Sequence, residues 1–527
     1  MLGKRDPQLT FLDLGWRERI PKTHFAWQLE QFCTEAGITE EMFAELFSDR
    51  GRPSVSPVIT IRAILYQLEK GLSDRELEEG SAFDDRVKLA LGLSRDDKPL
   101  DAVTLCDHRE RFLKSDIGWQ LLYRTLTQAA GKGLLREDGL HITDSFLVEG
   151  AGATQDTITL IRKAIRQVLR FAEPLGIARM LAKRLQRNDY DSQAKPRIDW
   201  EDPEAKQRLV EELVLDAREL VAAARRVPEP KDTGSHWQTF QSAVDLLERV
   251  AEQDVEQTPD GRIRIRHGVA KDRIISVTDP QMRHGRKTTA KKADGYKANI
   301  IVTGERGNII TNVTLAPANA ADHEMAKEGV AKQVADGVPI RTLLGDTAYG
   351  GGDLRIELGG QGVDVVAKVM PAAGKGGRLS KEDFEINLEQ AWVRCPQGHV
   401  TTAARPGKDA KGRTVKVFQF DAGVCAGCPL RKRCTTNPLG RTVTLHYHED
   451  VLQRARAFQD TEAFKALYAT RSHVERTIAH LTRHGGRTAR YIGMVKTRFQ
   501  LLMTAVRHNI KGVMGAGGKR VPATGDV

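Results

Sequence analysis

Acidic side chains all but vanish from the end of this chain. Between residues 463 and 520 there is one carboxylate, Glu475, against twelve Lys and Arg. So one-signed a stretch is no ordinary mixed surface, and it excludes a basic partner for that region. Long apolar runs are also missing. No eighteen consecutive residues are apolar, and the opening Met-Leu-Gly-Lys-Arg-Asp-Pro has no hydrophobic leader segment. A spanning helix is therefore not expected, and the reading is a cytosolic protein. Cysteine is scarce, six in 527 residues. Four of them (Cys395, Cys425, Cys428 and Cys434) cluster, which in a reducing compartment favours metal over disulfides. Cys33 and Cys106 read as core residues. No repeat of fixed period occurs, which argues against a solenoid.

What is present supports a globular protein of two to four domains, since 40% of the residues are apolar. The net charge of +11 and a pI near 9.3 point to an acidic partner. Charge alone does not choose between nucleic acid, an anionic membrane and no specific partner.

Residues 1 to 130 read as helical. Ser56-Pro57 is an N-cap followed by Pro at the first helical position, with Val58, Ile61, Leu65 and Leu68 on one face and Gly71 as the stop. Ser73-Asp-Arg-Glu76 is a capping box opening the next helix. Further helices are expected from about Asp101 to Leu113 and through Leu121, Leu122 and Leu126. Short helices with tight turns fit either a helix-turn-helix-like DNA module or a plain bundle.

From Gly139 the period changes to that of a strand, with Asp144 at its end. Residues 155 to about 258 return to charged helical sequence. Strand candidates follow at 262–266, 273–277, 296–302, 309–315, 340–344 and 363–369, with a hairpin turn at 304–308 and a helix from 321 to 333. The sum is an α/β core with a mixed sheet, interrupted once by a long helical insertion.

Asp144 and Asp346 fall near strand ends, where α/β sheets place ligand sites. Glu475 is expected on the final helix, with Val474, Ile478 and Leu481 buried and Arg471 one turn before it. Three such carboxylates can share a pair of divalent cations, which hard oxygen ligands suit. The plainer alternative is a surface Glu475 paired with Arg471. The cysteines have the C-x2-C spacing of a closed zinc site, with His399 as a fifth candidate ligand and a strand hairpin (415–420) between the halves. Free thiols or a redox pair are the alternative.

Several stretches resemble the bacterial insertion-sequence transposases of the DDE, RNase H-like class. Residues 47–54 through 76–78 look like the InsH-like N-terminal domain of that class. Ile142-Thr-Asp144-Ser resembles its first catalytic strand, and Asp294-Gly-Tyr-Lys-Ala with residues 316–322 its central hairpin and following loop. Leu344-Gly-Asp346-Thr-Ala-Tyr-Gly resembles its second catalytic element. The signature Tyr-x2-Arg-x3-Glu-x6-Lys reads Tyr468, Arg471, Glu475 and then Thr482, with Arg483 next door.

The resemblance implies an RNase H-like core with an all-α N-terminal domain and a small zinc-ribbon-like insert. It implies a DNA-binding domain at 1–130 and core parts at 131–154 and 261–385. The helical insertion falls at 155–260, the zinc-ribbon-like insert at 386–445, the C-terminal core helices at 446–513 and a flexible tail at 514–527. It further implies an enzyme in which Asp144, Asp346 and Glu475 bind two Mg²⁺ (Mn²⁺ in their place), cut element ends and join 3′-hydroxyls to target DNA. Cys395, Cys425, Cys428 and Cys434 would hold structural Zn²⁺. Tyr468, Arg471, Arg483, Arg487, Arg490, Lys496 and Arg498 would contact double-stranded DNA. The protein would be a homodimer associated with the nucleoid. A nuclease without strand transfer, or a catalytically inactive DNA-binding descendant, are the alternatives.

Overall fold

The computed structural model describes residues 1–4, 15–136, 139–229, 234–287, 292–304, 308–372 and 374–516. The chain begins with helices α1 (Phe25–Glu35), α2 (Pro57–Lys70), α3 (Asp74–Phe83), α4 (Asp85–Leu91), α5 (Ala102–Phe112) and α6 (Ile117–Gly131). Their boundaries obey the local signals. Ser56 Oγ accepts the Val58 N–H, Gly71 ends α2 in the left-handed region at φ 74°, and Ser73 and Glu76 form both bonds of the capping box. Cys33 is buried as expected, whereas Cys106 is exposed on α5.

Strand β1 (Leu140–Glu149) lies at the centre of a mixed sheet. Asp144 is thus in mid-strand and not at its end. After β1 the chain leaves the sheet for α7 (Thr157–Ala172), α8 (Ala178–Ala182), α9 (Pro203–Arg225), α10 (Ser235–Gln253) and the hairpin β2 (Val255–Gln257) and β3 (Ile263–Ile265). This insertion has a core of its own, built on Leu160, Ile165, Leu213, Leu220, Phe240 and Leu247. Residues 273–277 are not a strand. Their backbone is held by side chains instead: Gln253 pairs with both the N–H and C=O of Ile274, and Gln155 Oε1 accepts from Val277 N–H.

The sheet resumes with β4 (Arg283–Arg286), β5 (Lys292–Thr303) and β6 (Ile310–Pro317). Both β4 and β6 pair with β5, antiparallel. The turn expected at 304–308 lies largely outside the described residues. After α11 (Asp322–Ala335), β7 (Thr342–Leu344) joins β1 in parallel, and β8 (Asp364–Val366) follows α12 (Gly352–Gly359) to join β7.

Residues 385–444 form two small three-stranded sheets and two short helices, α13 (Ala422–Ala426) and α14 (Arg431–Cys434). They enclose Phe384, Val393, Phe418, Phe420 and Val443. The C-terminal helices are α15 (Glu449–Gln459), α16 (Glu462–Ala469), α17 (Ser472–Leu481) and α18 (Met494–Ala516). Glu475 is therefore on the penultimate helix. The expected tail begins later than 514, because α18 continues to Ala516, and residues 517–527 lie outside the described part.

The N-terminal helices do not close a core by themselves. Leu29, Ile61, Leu65 and Leu121 share one apolar cluster with Ile142 and Ile300 of the sheet, Val474 of α17 and Leu502, Val506 and Ile510 of α18. Among the described residues no helix is long and apolar enough to cross a membrane.

Candidate active site

Two carboxylates meet by strand register. The parallel pairing of β1 and β7 ends at Ile142 and Leu344. Two residues further along each chain stand Asp144 and Asp346, so both face the mouth opened where β7 stops. Asp346 Oδ1 accepts the Ala348 N–H at 2.8 Å and thereby caps a short turn, Thr347–Tyr349. Asp144 is nearly buried, and its Oδ1 accepts the Ser145 N–H at 2.7 Å. Burial pushes the Asp144 carboxyl above its ordinary range; Lys287 and Arg471 pull the other way, and Asp346 adds to the rise.

The third carboxylate comes from α17. Val474, Thr477 and Leu481 are buried, and Ile478 only partly so. That seats Glu475 in the first turn on the opposite side, with its side chain 57% exposed. Arg471, one turn earlier, closes the site. Its Nη2 donates to Glu475 at 2.6 Å and its Nη1 lies 3.8 Å from Asp346. The Asp144 charge also acts on this guanidinium. Arg471 thus touches Asp346 and Glu475, while Asp144 acts on it through its charge. The i,i+4 pair of Arg471 and Glu475 is real as well, but it is part of this cluster and not an isolated surface pair.

Sequence reasoning missed the support beneath. Asn299 of β5 is fully buried, and its Nδ2 donates toward Thr143 Oγ1 (2.9 Å), Tyr349 OH (3.0 Å) and Ser145 Oγ (3.1 Å). Tyr349 OH and Ser145 Oγ are 3.1 Å apart. This network ties the element after β7 to β1 on the face opposite Asp144. It also explains Gly345: a Cβ there would meet the Tyr349 ring at 2.6 Å. The spacing Asp346-Thr-Ala-Tyr349 was the available signal, with one residue aimed at the site and one at its anchor.

Lys287 was missed too. Its Nζ lies 3.8 Å from Asp144 Oδ1 and donates to the Ser145 carbonyl at 2.8 Å. Tyr468 stacks on Phe464 with 5.3 Å between centroids, and Lys368 Nζ lies 4.7 Å over its ring. Arg483, Arg487, Arg490 and Lys496 are exposed, and Arg498 is half-buried. Arg490 is partly engaged, its Nη2 donating to the Leu72 carbonyl at 3.4 Å. On the N-terminal helices the charge is unfavourable for DNA. Helix α3, second of the presumed helix-turn-helix pair, carries Asp74, Glu76, Glu78 and Glu79 against Arg75.

In the small insert, Cys395, Cys425 and Cys434 pack against its core. Burial raises the Cys434 thiol, Arg441 opposes this, and Cys425, Cys428 and Cys395 add to the rise. Among the described residues no group of three or more His, Cys, Asp or Glu side chains is drawn into metal-binding geometry. The zinc-ribbon character of the insert is therefore not carried by its geometry. At the carboxylates, Arg471 stands between Asp346 and Glu475.

A mixed sheet with carboxylates on adjoining strands and a third on a covering helix fits the core of a DDE transposase. Comparison with protein families agrees. Residues 394–514 match the family described as Transposase DDE domain, and residues 15–111 match the one described as Transposase domain (DUF772). The first match includes Glu475 but neither Asp144 nor Asp346. Together the two matches support an insertion-sequence DDE transposase. Neither the curated proteins nor the solved structures gave a match.

Proposed function

We propose that the protein cuts the ends of an insertion sequence and joins the freed 3′-hydroxyls to target DNA. The observation that carries this reading is Arg471 lying between Asp346 and Glu475, with Asp144 and Asp346 each two residues past the last β1–β7 pair. Asp144, Asp346 and Glu475 are the residues that would hold Mg²⁺ or Mn²⁺. Their hard oxygens fit such ions, and Lys287 and Arg471 now balance charge that a divalent cation would balance in their place. Two bound ions would supply positive charge at the phosphorus and at the attacking and leaving oxygens.

The chain's own groups orient this chemistry. The Ser145 N–H holds Asp144 in one rotamer, and the Asn299–Tyr349 network fixes the spacing of the two strands. Arg471 aims Glu475, and with Tyr468 it presents donors to a phosphate. Arg483, Arg487, Arg490, Lys496 and Arg498 supply the phosphate contacts that hold a duplex without reading its sequence. Pairing two element ends calls for two protomers, so a homodimer is part of the proposal.

The test is a joining assay with purified protein, Mg²⁺, a labelled element end and plasmid DNA. Joined product is expected, and Asp346→Asn should give none. Ends released but never joined would select a nuclease. Joining by Asp346→Asn at the wild-type rate would refute the site.

Cys395, Cys425, Cys428 and Cys434 would hold one structural Zn²⁺, a reading supported by the C-x2-C spacing and by the packing of three of them on the core of the insert. Elemental analysis should find about one zinc per chain, lost in Cys428→Ser with a lower melting temperature. Zinc-free wild-type protein of unchanged stability would rule this out.

A further inference from the structure

We propose that Lys287 is the phosphate-binding cation of this centre, in the place that the signature gives to a lysine at position 482. The inference rests on the transposase reading above. Position 482 is a threonine whose Oγ1 turns back to the Ala479 carbonyl at 3.1 Å. It has no charge to offer. Arg483 stands one residue on, exposed, where α17 widens into an irregular turn in which His484 and Gly485 leave helical conformation. Neither residue puts a fixed cation at the carboxylates.

Lys287 does so from elsewhere in the chain. It follows β4, a strand whose Arg-His-Gly-Arg sequence has no apolar alternation. β7 pairs only with residues 140–142 of β1, and the next partner on that edge is the 487–489 segment at Glu149, so the strand is unpaired there around Asp144 and Ser145. The Ser145 carbonyl accepts the Lys287 ammonium at 2.8 Å, and this anchor sets it 3.8 Å from Asp144 Oδ1. The Lys287 side chain is 50% exposed while that of Asp144 is 10% exposed. The ammonium therefore stands on the solvent side of the carboxylate, where a DNA strand must approach.

The ammonium is drawn to Asp144 while that charge is otherwise unbalanced. Divalent cations held by Asp144, Asp346 and Glu475 would balance it and leave the ammonium for a phosphodiester. Lys287 would then pass from counter-ion of Asp144 to phosphate ligand.

The test measures binding without turnover. Affinity for a duplex oligonucleotide is followed over a salt series, once in EDTA and once in Ca²⁺. In EDTA, Lys287→Ala should show the wild-type salt slope. In Ca²⁺ its slope should be shallower by about 0.9, the loss of one phosphate contact. Lys287→Arg should keep the wild-type slope in both buffers, which guards against a folding defect. Equal slopes for Lys287→Ala and wild type in both buffers would overturn the assignment. So would a deficit already present in EDTA, or a Ca²⁺-dependent deficit in Arg483→Ala and not in Lys287→Ala. If wild type neither cuts nor joins DNA in Mg²⁺ yet the Ca²⁺-dependent difference persists, the transposase reading fails and the Lys287 assignment stands.

Discussion

Asp144→Asn is expected to abolish cutting and joining while raising the melting temperature of the metal-free protein. The two effects have one cause. Asp144 is nearly buried, and burial is the largest influence on its carboxyl, pushing it above the ordinary range against Lys287 and Arg471. A raised carboxyl favours the protonated form in the fold. Its contribution to stability is full below the unfolded value of about 3.9 and is lost as pH rises through the folded value. Near neutral pH the ionised side chain therefore works against folding. Asparagine removes that charge and keeps an oxygen for the Ser145 N–H, now bonded at 2.7 Å. It also removes a hard anionic ligand. Activity should fall on the order of 10³-fold, beyond the 10–100-fold typical of losing a ligand's supporting partner. Melts in EDTA across a pH series, beside the joining assay, check both parts. The stability gain should be present at neutral pH and absent in acid. A variant that melts below wild type at neutral pH would contradict the account of burial, and one that still cuts DNA would contradict the role.

Arg507→Met is expected to cost about 3 kcal/mol, because it leaves a largely buried carboxylate with Lys511 as its remaining cation. Arg507 of α18 is buried and pairs with Glu69 of α2, itself largely buried. Lys511 adds a second contact to Glu69 at 3.1 Å. Burial opposes ionisation of Glu69, but the two cations outweigh it and hold the carboxyl below its usual range. Arg507 also donates toward His484 Nε2 at 3.0 Å, and the other ring nitrogen of His484 is 3.3 Å from the Leu68 carbonyl. The cluster thus joins the N-terminal helices to the turn that follows the Glu475 helix. Denaturant titration measures the loss. Adding Glu69→Gln should recover much of it, since the unpaired charge is then gone. A double variant no more stable than Arg507→Met alone would show that packing, not charge, sets the cost.

Helix ends were legible because caps are local. Ser56, Gly71 and the Ser73–Glu76 box act within four residues of themselves. The three carboxylates stand out in the sequence because their order and flanking residues resemble a known family. Less local features do not. An Ile-Ile-Ser-Val run reads as a strand, yet at 273–277 Gln155 and Gln253 replace the ladder. Strand β4 is polar at every side chain and has no pattern to read. Periodicity gives α2 one apolar face, yet every residue from Pro57 to Leu68 is buried, because helices including α4 and α18 pack around it. Asn299 and Lys287 are ordinary residues of strand and loop, and only the folded sheet places them beside Asp144.

The last long helix lies beneath the first ones, and synthesis runs the other way. A ribosome releases α2 more than four hundred residues before α18 can seat against it. Until then α2 has its N-terminal neighbours α1 and α4 but not α18, and the shared apolar cluster stays incomplete. A product truncated before Met494 would leave that cluster incomplete and be a substrate for proteases. Such a truncated chain would therefore not accumulate as a shorter folded product.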